Sequence, residues 1–228
     1  HQPRPRRRAA GRPAVNPSVV VRWTTVDELD DTRLGEVALG DAERERAAAF
    51  RLDTDRRLFV GARLLLRRTV AEVTGERPDA VVLVQRCARC DGPHGRPQVQ
   101  VGGRPGPSVS IAHAGTLAVV AVAPDPVGVD VEPSSPARRR AVLFDLGGWV
   151  RREAVLKALG LGVDTDPDPF ELGPPDEPPR LVRWSAPGPR PTVHLTDLAP
   201  ATDHVAAVAT LGRRRLTVDA GPVAFRRR

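Results

Sequence analysis

The stretch PVGVDVEP (residues 126–133) places Asp130 and Glu132 two residues apart among Val127, Val129 and Val131. The alternation is that of a half-buried strand, whose side chains two apart share a face, so the two acids stand together. Like charges side by side are unfavourable unless something positive is held between them. Downstream, Glu153 and Lys157 lie four residues apart in GGWVRREAVLKALG (147–160) and share one face of an expected helix. Considered alone, that pair is an exposed ion pair worth about 0.3–0.5 kcal/mol. Joined, Asp130, Glu132 and Glu153 make a set of hard oxygen ligands of the kind that takes magnesium, with water and substrate phosphate completing the octahedron.

A second cluster lies in CARCDGPHGRP (87–97). Cys87, Cys90 and His94 have zinc-ligand spacing, but a structural zinc site wants four ligands and no second CxxC completes it. The other reading is a loop with reduced thiols.

These groups need elements to position them. VVVRWTT (19–25) reads as a first strand. DAERERAAAF (41–50) reads as a helix with Asp41 at its N-cap. Residues 53–75 form a longer helix with Leu58, Ala62, Leu65, Leu66, Thr69 and Val73 as its apolar stripe and Gly75 at its stop. AVVLVQRC (80–87) is expected to be a buried strand. TLAVVAVA (116–123) and VGVDVE (127–132) are expected as consecutive strands around a tight PDP turn. Further strands follow near PTVHL and in HVAAVAT. Strands and helices without a regular βαβ repeat favour an α+β fold.

The 228 residues suffice for one large domain or two small ones. No apolar run approaches the roughly 18 residues of a membrane span. The net charge of +7 is concentrated in arginines at both ends, and Lys157 is the single lysine. Residues 1–18 and 212–228 are therefore expected to be basic tails, the first of them disordered. The default location is cytoplasmic.

VGVDVE followed by WVRREAVLKALGLG resembles the two signature segments of the 4′-phosphopantetheinyl transferases, in their larger monomeric class. Three more segments agree in order: HGRP (94–97), SIAHAG (110–115), and ERERAAAF with DRRLFVGARLLLR. The resemblance covers most of residues 19–211. It implies two similar α+β subdomains, 19–123 and 124–211, with the active site between them. It implies transfer of the phosphopantetheine arm of coenzyme A to a serine of an acyl or peptidyl carrier protein, by a monomer that needs no membrane and no specific nucleic acid. By the same resemblance Asp130, Glu132 and Glu153 hold magnesium, Glu153 takes the serine proton, and Lys157 and His113 meet the pyrophosphate. Arg96, Arg46 and Arg57 meet the nucleotide end. The chain departs from the family pattern in three ways. Ala112 and Ala114 replace serines around the histidine, arginines stand for the usual lysines at Arg96 and Arg152, and the segment 133–148, where carriers dock, is short.

Two other readings compete. One is a coenzyme-A- or carrier-binding relative with weak or no catalysis, suggested by the short segment. The other is a basic nucleic-acid-binding protein, for which the charge speaks. An aromatic content of only 4% leaves that protein few stacking platforms.

Overall fold

The computed structural model describes residues 18–29, 39–87, 90, 92, 95–134, 145–161 and 169–225. The mixed α+β composition expected from the sequence is what they form. Three α-helices, α1 (Asp41–Ala48), α2 (Asp53–Thr74) and α3 (Leu146–Leu159), accompany strands numbered in chain order. A four-stranded sheet has the order β12-β1-β6-β5: Thr217–Pro222, Ser18–Thr25, Leu117–Ala123 and Ser108–Ala114. A three-stranded sheet has the order β10-β11-β7: Val193–Leu198, His204–Leu211 and Val127–Pro133. A smaller sheet, β2-β3-β4 (Val81–Gln85, Pro97–Val101, Arg104–Pro105), and a hairpin, β8-β9 (Phe170–Leu172, Leu181–Trp184), complete it.

The layers follow from the alternation of side chains along the two central strands. On β6, Leu117, Val119, Ala121 and Ala123 face Val127, Val129 and Val131 of β7, forming a core between the two larger sheets. The opposite face of β6, with Val120 and Val122, packs beneath Leu65, Leu66 and Val70 of α2. Every residue of β6 is buried, which explains its unbroken apolar run. On the far side, α3 lays Val150, Ala154 and Ala158 against Ala207 and Ala209 of β11. The order of layers is therefore helix, sheet, sheet, helix. Because the valines of β7 take the inner face, Gly128, Asp130 and Glu132 must face the α3 side.

Several expectations need correction. The 116–123 and 127–132 strands do follow one another around a tight turn as expected, but no ladder joins them and they enter different sheets. Serine hydroxyls of β5 take the place of that ladder: Val127 N–H donates to Ser108 Oγ (3.1 Å) and Val129 N–H to Ser110 Oγ (3.0 Å). The strand 81–85 is not buried, since Val82 and Val84 lie exposed on a face that no layer covers. The N-cap of α1 is Gly40, whose N–H donates to Glu43 Oε2 (2.9 Å), rather than Asp41. Residues 212–228 are more than a tail, because β12 runs parallel to β1. The long helix and its Gly75 stop stand as expected, the glycine at φ 73°. The first 17 residues, His94, residues 135–144 and 226–228 lie outside the described residues. Among the described residues no helix is long and apolar enough to cross a membrane.

Candidate functional site

Asp130 and Glu153 meet where β7 packs on α3. The approach is close because Gly128 carries no side chain: a Cβ there would stand 2.0 Å from Ala154 O. Helix α3 is fixed at both ends, by Asp145 Oδ2 accepting from Gly148 N–H (3.1 Å) and by Gly160 in the left-handed conformation. Asp130 is 8% exposed and Glu153 4%.

Lys157 reaches across from α3 to donate to Asp130 Oδ1 (2.6 Å) and to Val129 O (3.1 Å). Glu153 Oε1 accepts from the neighbouring Arg152 guanidinium at 2.8 Å. Asp130 Oδ2 is buried and receives no hydrogen bond. Burial pushes the Asp130 carboxyl above its usual range, the charge of Glu132 adds to this, and Lys157 opposes it. Burial likewise raises Glu153, the charge of Asp130 adds to the rise, and Arg152 and Lys157 oppose it. Glu153 thus senses the charge of Asp130 across the strand–helix packing.

Glu132 shares the Asp130 face of β7 and is half-buried. The three carboxylates nevertheless do not form a ready-made cage. Among the described residues no three of His, Cys, Asp and Glu are gathered so as to hold a metal ion. The chain's own cations, Lys157 and Arg152, neutralise the acids instead. Cys87 is half-buried, Cys90 is exposed, and they form no disulfide.

A cationic group adjoins the acidic one. His113, near the end of β5, has its imidazole held below its usual value. Loss of solvent around the ring is the largest cause, followed by the positive fields of Arg63, Lys157 and Arg46, with Asp55 opposing. His113 itself stays exposed at the strand end, within the field of these three cations. They bring α1, α2 and α3 to bear on one strand end. Arg46 also lines a small cleft with Glu43, Phe59, Leu83 and Gln85.

Arg63 is the residue that sequence reasoning missed. Its guanidinium lies over the Phe59 ring at 3.6 Å and donates to Gln85 Oε1 (3.4 Å), while its Nε is buried without a hydrogen bond. Burial lowers it to about 10, against the field of nearby Glu43. Arg67, one turn on, gives two bonds to Glu43, at 2.7 and 3.3 Å, and also keeps a bare buried Nε. Two buried arginines thus share one glutamate, leaving positive charge uncompensated. The signal was present in the chain: Arg63 and Arg67 fall at i,i+4 within an apolar helical face.

The other expected cations lie elsewhere. Arg57 donates to Leu29 O (2.9 Å). Arg96 stands by Ser108 Oγ (3.5 Å) and against Gly160, at the other end of β5 from His113. Ser108 and His113 are five positions apart on the strand, about 16 Å. Burial lowers the Arg96 guanidinium.

The arrangement offers a buried acid pair with one unsatisfied oxygen, an ammonium beside it, and the cations Arg46 and Arg63 acting with Lys157 on the same strand end. It suits an extended polyanion whose charge is distributed along its length. No protein-family model matches the chain, and no curated protein matches it.

Proposed function

We propose that this chain is a 4′-phosphopantetheinyl transferase, with the two-subdomain architecture of that family's larger monomeric class. One observation carries the reading: Asp130 of β7 and Glu153 and Lys157 of α3 come together beside the cations that converge on His113. Residues of four of the five resembling segments contribute to this group, which supports the reading; Arg96 of HGRP lies at the other end of β5.

In this reading a carrier serine hydroxyl attacks the pantetheine-side phosphorus of coenzyme A. The new bond is serine oxygen to phosphorus. The bond broken joins that phosphorus to the bridging oxygen, and adenosine 3′,5′-bisphosphate departs with the electron pair. Glu153 takes the serine proton; its raised value makes it a better base than an ordinary carboxylate once ionised. Lys157 releases Asp130 and follows the pyrophosphate, as a flexible ammonium can. Arg46, Arg63 and His113 receive the nucleotide-side phosphates. Arg96 lies toward the far end of the seam.

Magnesium fits the site in its donor chemistry and in the orphaned Asp130 Oδ2. Asp130, Glu132 and Glu153 would hold it. Its chemistry would be to neutralise charge on the pyrophosphate oxygens.

That no three carboxylates are gathered among the described residues favours one second reading, a relative that binds coenzyme A or carrier but transfers poorly. Mass spectrometry of apo-carrier protein incubated with the chain, coenzyme A and magnesium separates the two. A serine-linked phosphopantetheine adduct that disappears with Asp130→Ala supports the transferase. Coenzyme A binding without an adduct on any acyl or peptidyl carrier supports the second reading. Neither binding nor adduct, from a folded protein, overturns both.

A further inference from the structure

Two ion pairs close the site, and all four groups come from β7 and α3. Lys157 Nζ lies on Asp130 Oδ1 at 2.6 Å, and Arg152 Nη1 on Glu153 Oε1 at 2.8 Å. In each pair the acid lies deeper. The side chains of Asp130 and Glu153 are 11% and 5% exposed, those of Lys157 and Arg152 31% and 22%. The cations therefore cap the acids on the solvent side. The bare Asp130 Oδ2 is itself buried and gives no open route to them. A ligand that reaches the carboxylates must displace the caps.

Charge decides what such a displacement needs. The two pairs together are formally neutral. A divalent cation alone turns the group doubly positive and leaves the ammonium and the guanidinium without their acids. A diphosphate alone turns it doubly negative and leaves two buried carboxylates bare. Removing one partner of a buried pair is strongly unfavourable, because the charge left behind is uncompensated. When both ligands bind, every charge is matched again, carboxylates on the metal and cations on phosphate oxygens.

Each cation also has a second hold that keeps it near. Lys157 donates to Val129 O (3.1 Å) as well as to Asp130, and the Arg152 guanidinium lies 5.9 Å from the centre of the Trp149 ring. A side chain that lets go of its acid is thus still held beside the site.

We propose that Arg152 and Lys157 are exchangeable counter-ions, which make the binding of a divalent cation and of a diphosphate at this site depend on one another. The exchange stands on the geometry of the two pairs, while naming the diphosphate as that of coenzyme A rests on the transferase reading. The coupling is reciprocal: the factor by which the metal tightens the diphosphate equals the factor by which the diphosphate tightens the metal. Each ion pair contributes its own strength to that factor. The loss of the pair is borne by either ligand alone, but only once by the two together.

Calorimetric titration of the whole chain tests this, with magnesium alone, coenzyme A alone, and coenzyme A at saturating magnesium. The proteins compared are the wild type, Arg152→Gln and Arg152→Lys. Arg152→Gln leaves Glu153 without its counter-ion and is expected to take magnesium alone about tenfold more tightly, the strength of one charged hydrogen bond. The factor by which magnesium tightens coenzyme A is expected to fall by about the same amount. Arg152→Lys keeps the charge and is expected to restore both wild-type values. Direct contact between metal and phosphate is common to the three proteins and cancels in the comparison. Equal magnesium affinity in the wild type and Arg152→Gln, or an equal coupling factor, overturns the proposal. So does a lysine that restores neither value, since the effect would then belong to shape and not to charge. If none of the proteins binds coenzyme A, the transferase reading fails and the magnesium titrations alone decide the counter-ion role.

Discussion

Lys157 Nζ lies 2.6 Å from Asp130 Oδ1, while the other oxygen of the same carboxylate is buried without a partner. Half of the acid is neutralised by the chain, and the other half faces inward unsatisfied. A buried polar atom left without a hydrogen bond costs about 1–3 kcal/mol. The site is thus set to gain from an added cation.

The pH dependence follows from the raised carboxyls of Asp130 and Glu153. The folded chain binds their protons more readily than the unfolded chain does. Their support for folding is full below the ordinary carboxyl range, about pH 4, and is lost as pH climbs through their raised values. Added magnesium should therefore raise the melting temperature at pH 8 and leave it unchanged near pH 4. At a hundred times its dissociation constant the gain is about 2.7 kcal/mol, and each kcal/mol moves the midpoint of a chain this size by about 2–4 °C. Thermal melts at the two pH values check this. An equal shift at both, or none at pH 8, counts against the cation site.

Gly128 gives a prediction about the fold. A methyl group at this position would meet Ala154 O at 2.0 Å and Ala158 N at 2.5 Å, both main-chain atoms of α3. No side-chain rotation relieves that, so Gly128→Ala must push helix and strand apart. We expect a loss of more than about 3 kcal/mol, among the larger effects of a single substitution. Urea unfolding checks it, and a loss below about 1 kcal/mol would show that the layers yield more easily than this packing allows.

Much of this was legible in the chain. The alternation in VGVDVE put both acids on one face, and Gly75 marked a helix end, because period and φ preference are local properties. What was not legible depended on partners distant in sequence. Nothing local says that the 116–123 and 127–132 strands separate into two sheets; that is decided by Ser108 and Ser110, which satisfy the N–H groups of β7. Val82 and Val84 have the residue type of a core strand, yet no layer covers them. Arg57 and Arg63 look alike in the sequence, and only the fold spends one on Leu29 O and turns the other over Phe59.

Arg63 leads to a separation of stability from binding. It is buried and its Nε makes no hydrogen bond, so a methionine of similar length removes an expensive charge and keeps much of the packing. We expect Arg63→Met to fold with stability within about 1 kcal/mol of the parent. Its affinity for coenzyme A should fall by about tenfold or more, the loss of one charged hydrogen bond to phosphate. Calorimetric titration beside a urea melt measures both. Unchanged affinity would remove Arg63 from the anion site and leave it a packing residue.

His113 reports on that same group of charges. Its imidazole is depressed, first by lost solvent and then by Arg63, Lys157 and Arg46. Its contribution to folding is therefore present above its ordinary value, near pH 6.5, and is lost as pH falls through the depressed one. A bound polyanion reverses the field that the ring feels. Coenzyme A should then move the His113 titration upward, by about one pH unit for each 1.4 kcal/mol of attraction gained. Arg63→Met should move it upward even without ligand, because one of the depressing charges is gone. Proton spectra of the imidazole across pH 4–9, with and without coenzyme A, follow both shifts. If the midpoint stays fixed in both cases, the cations do not act on the ring. If only the ligand fails to move it, the anion sits elsewhere.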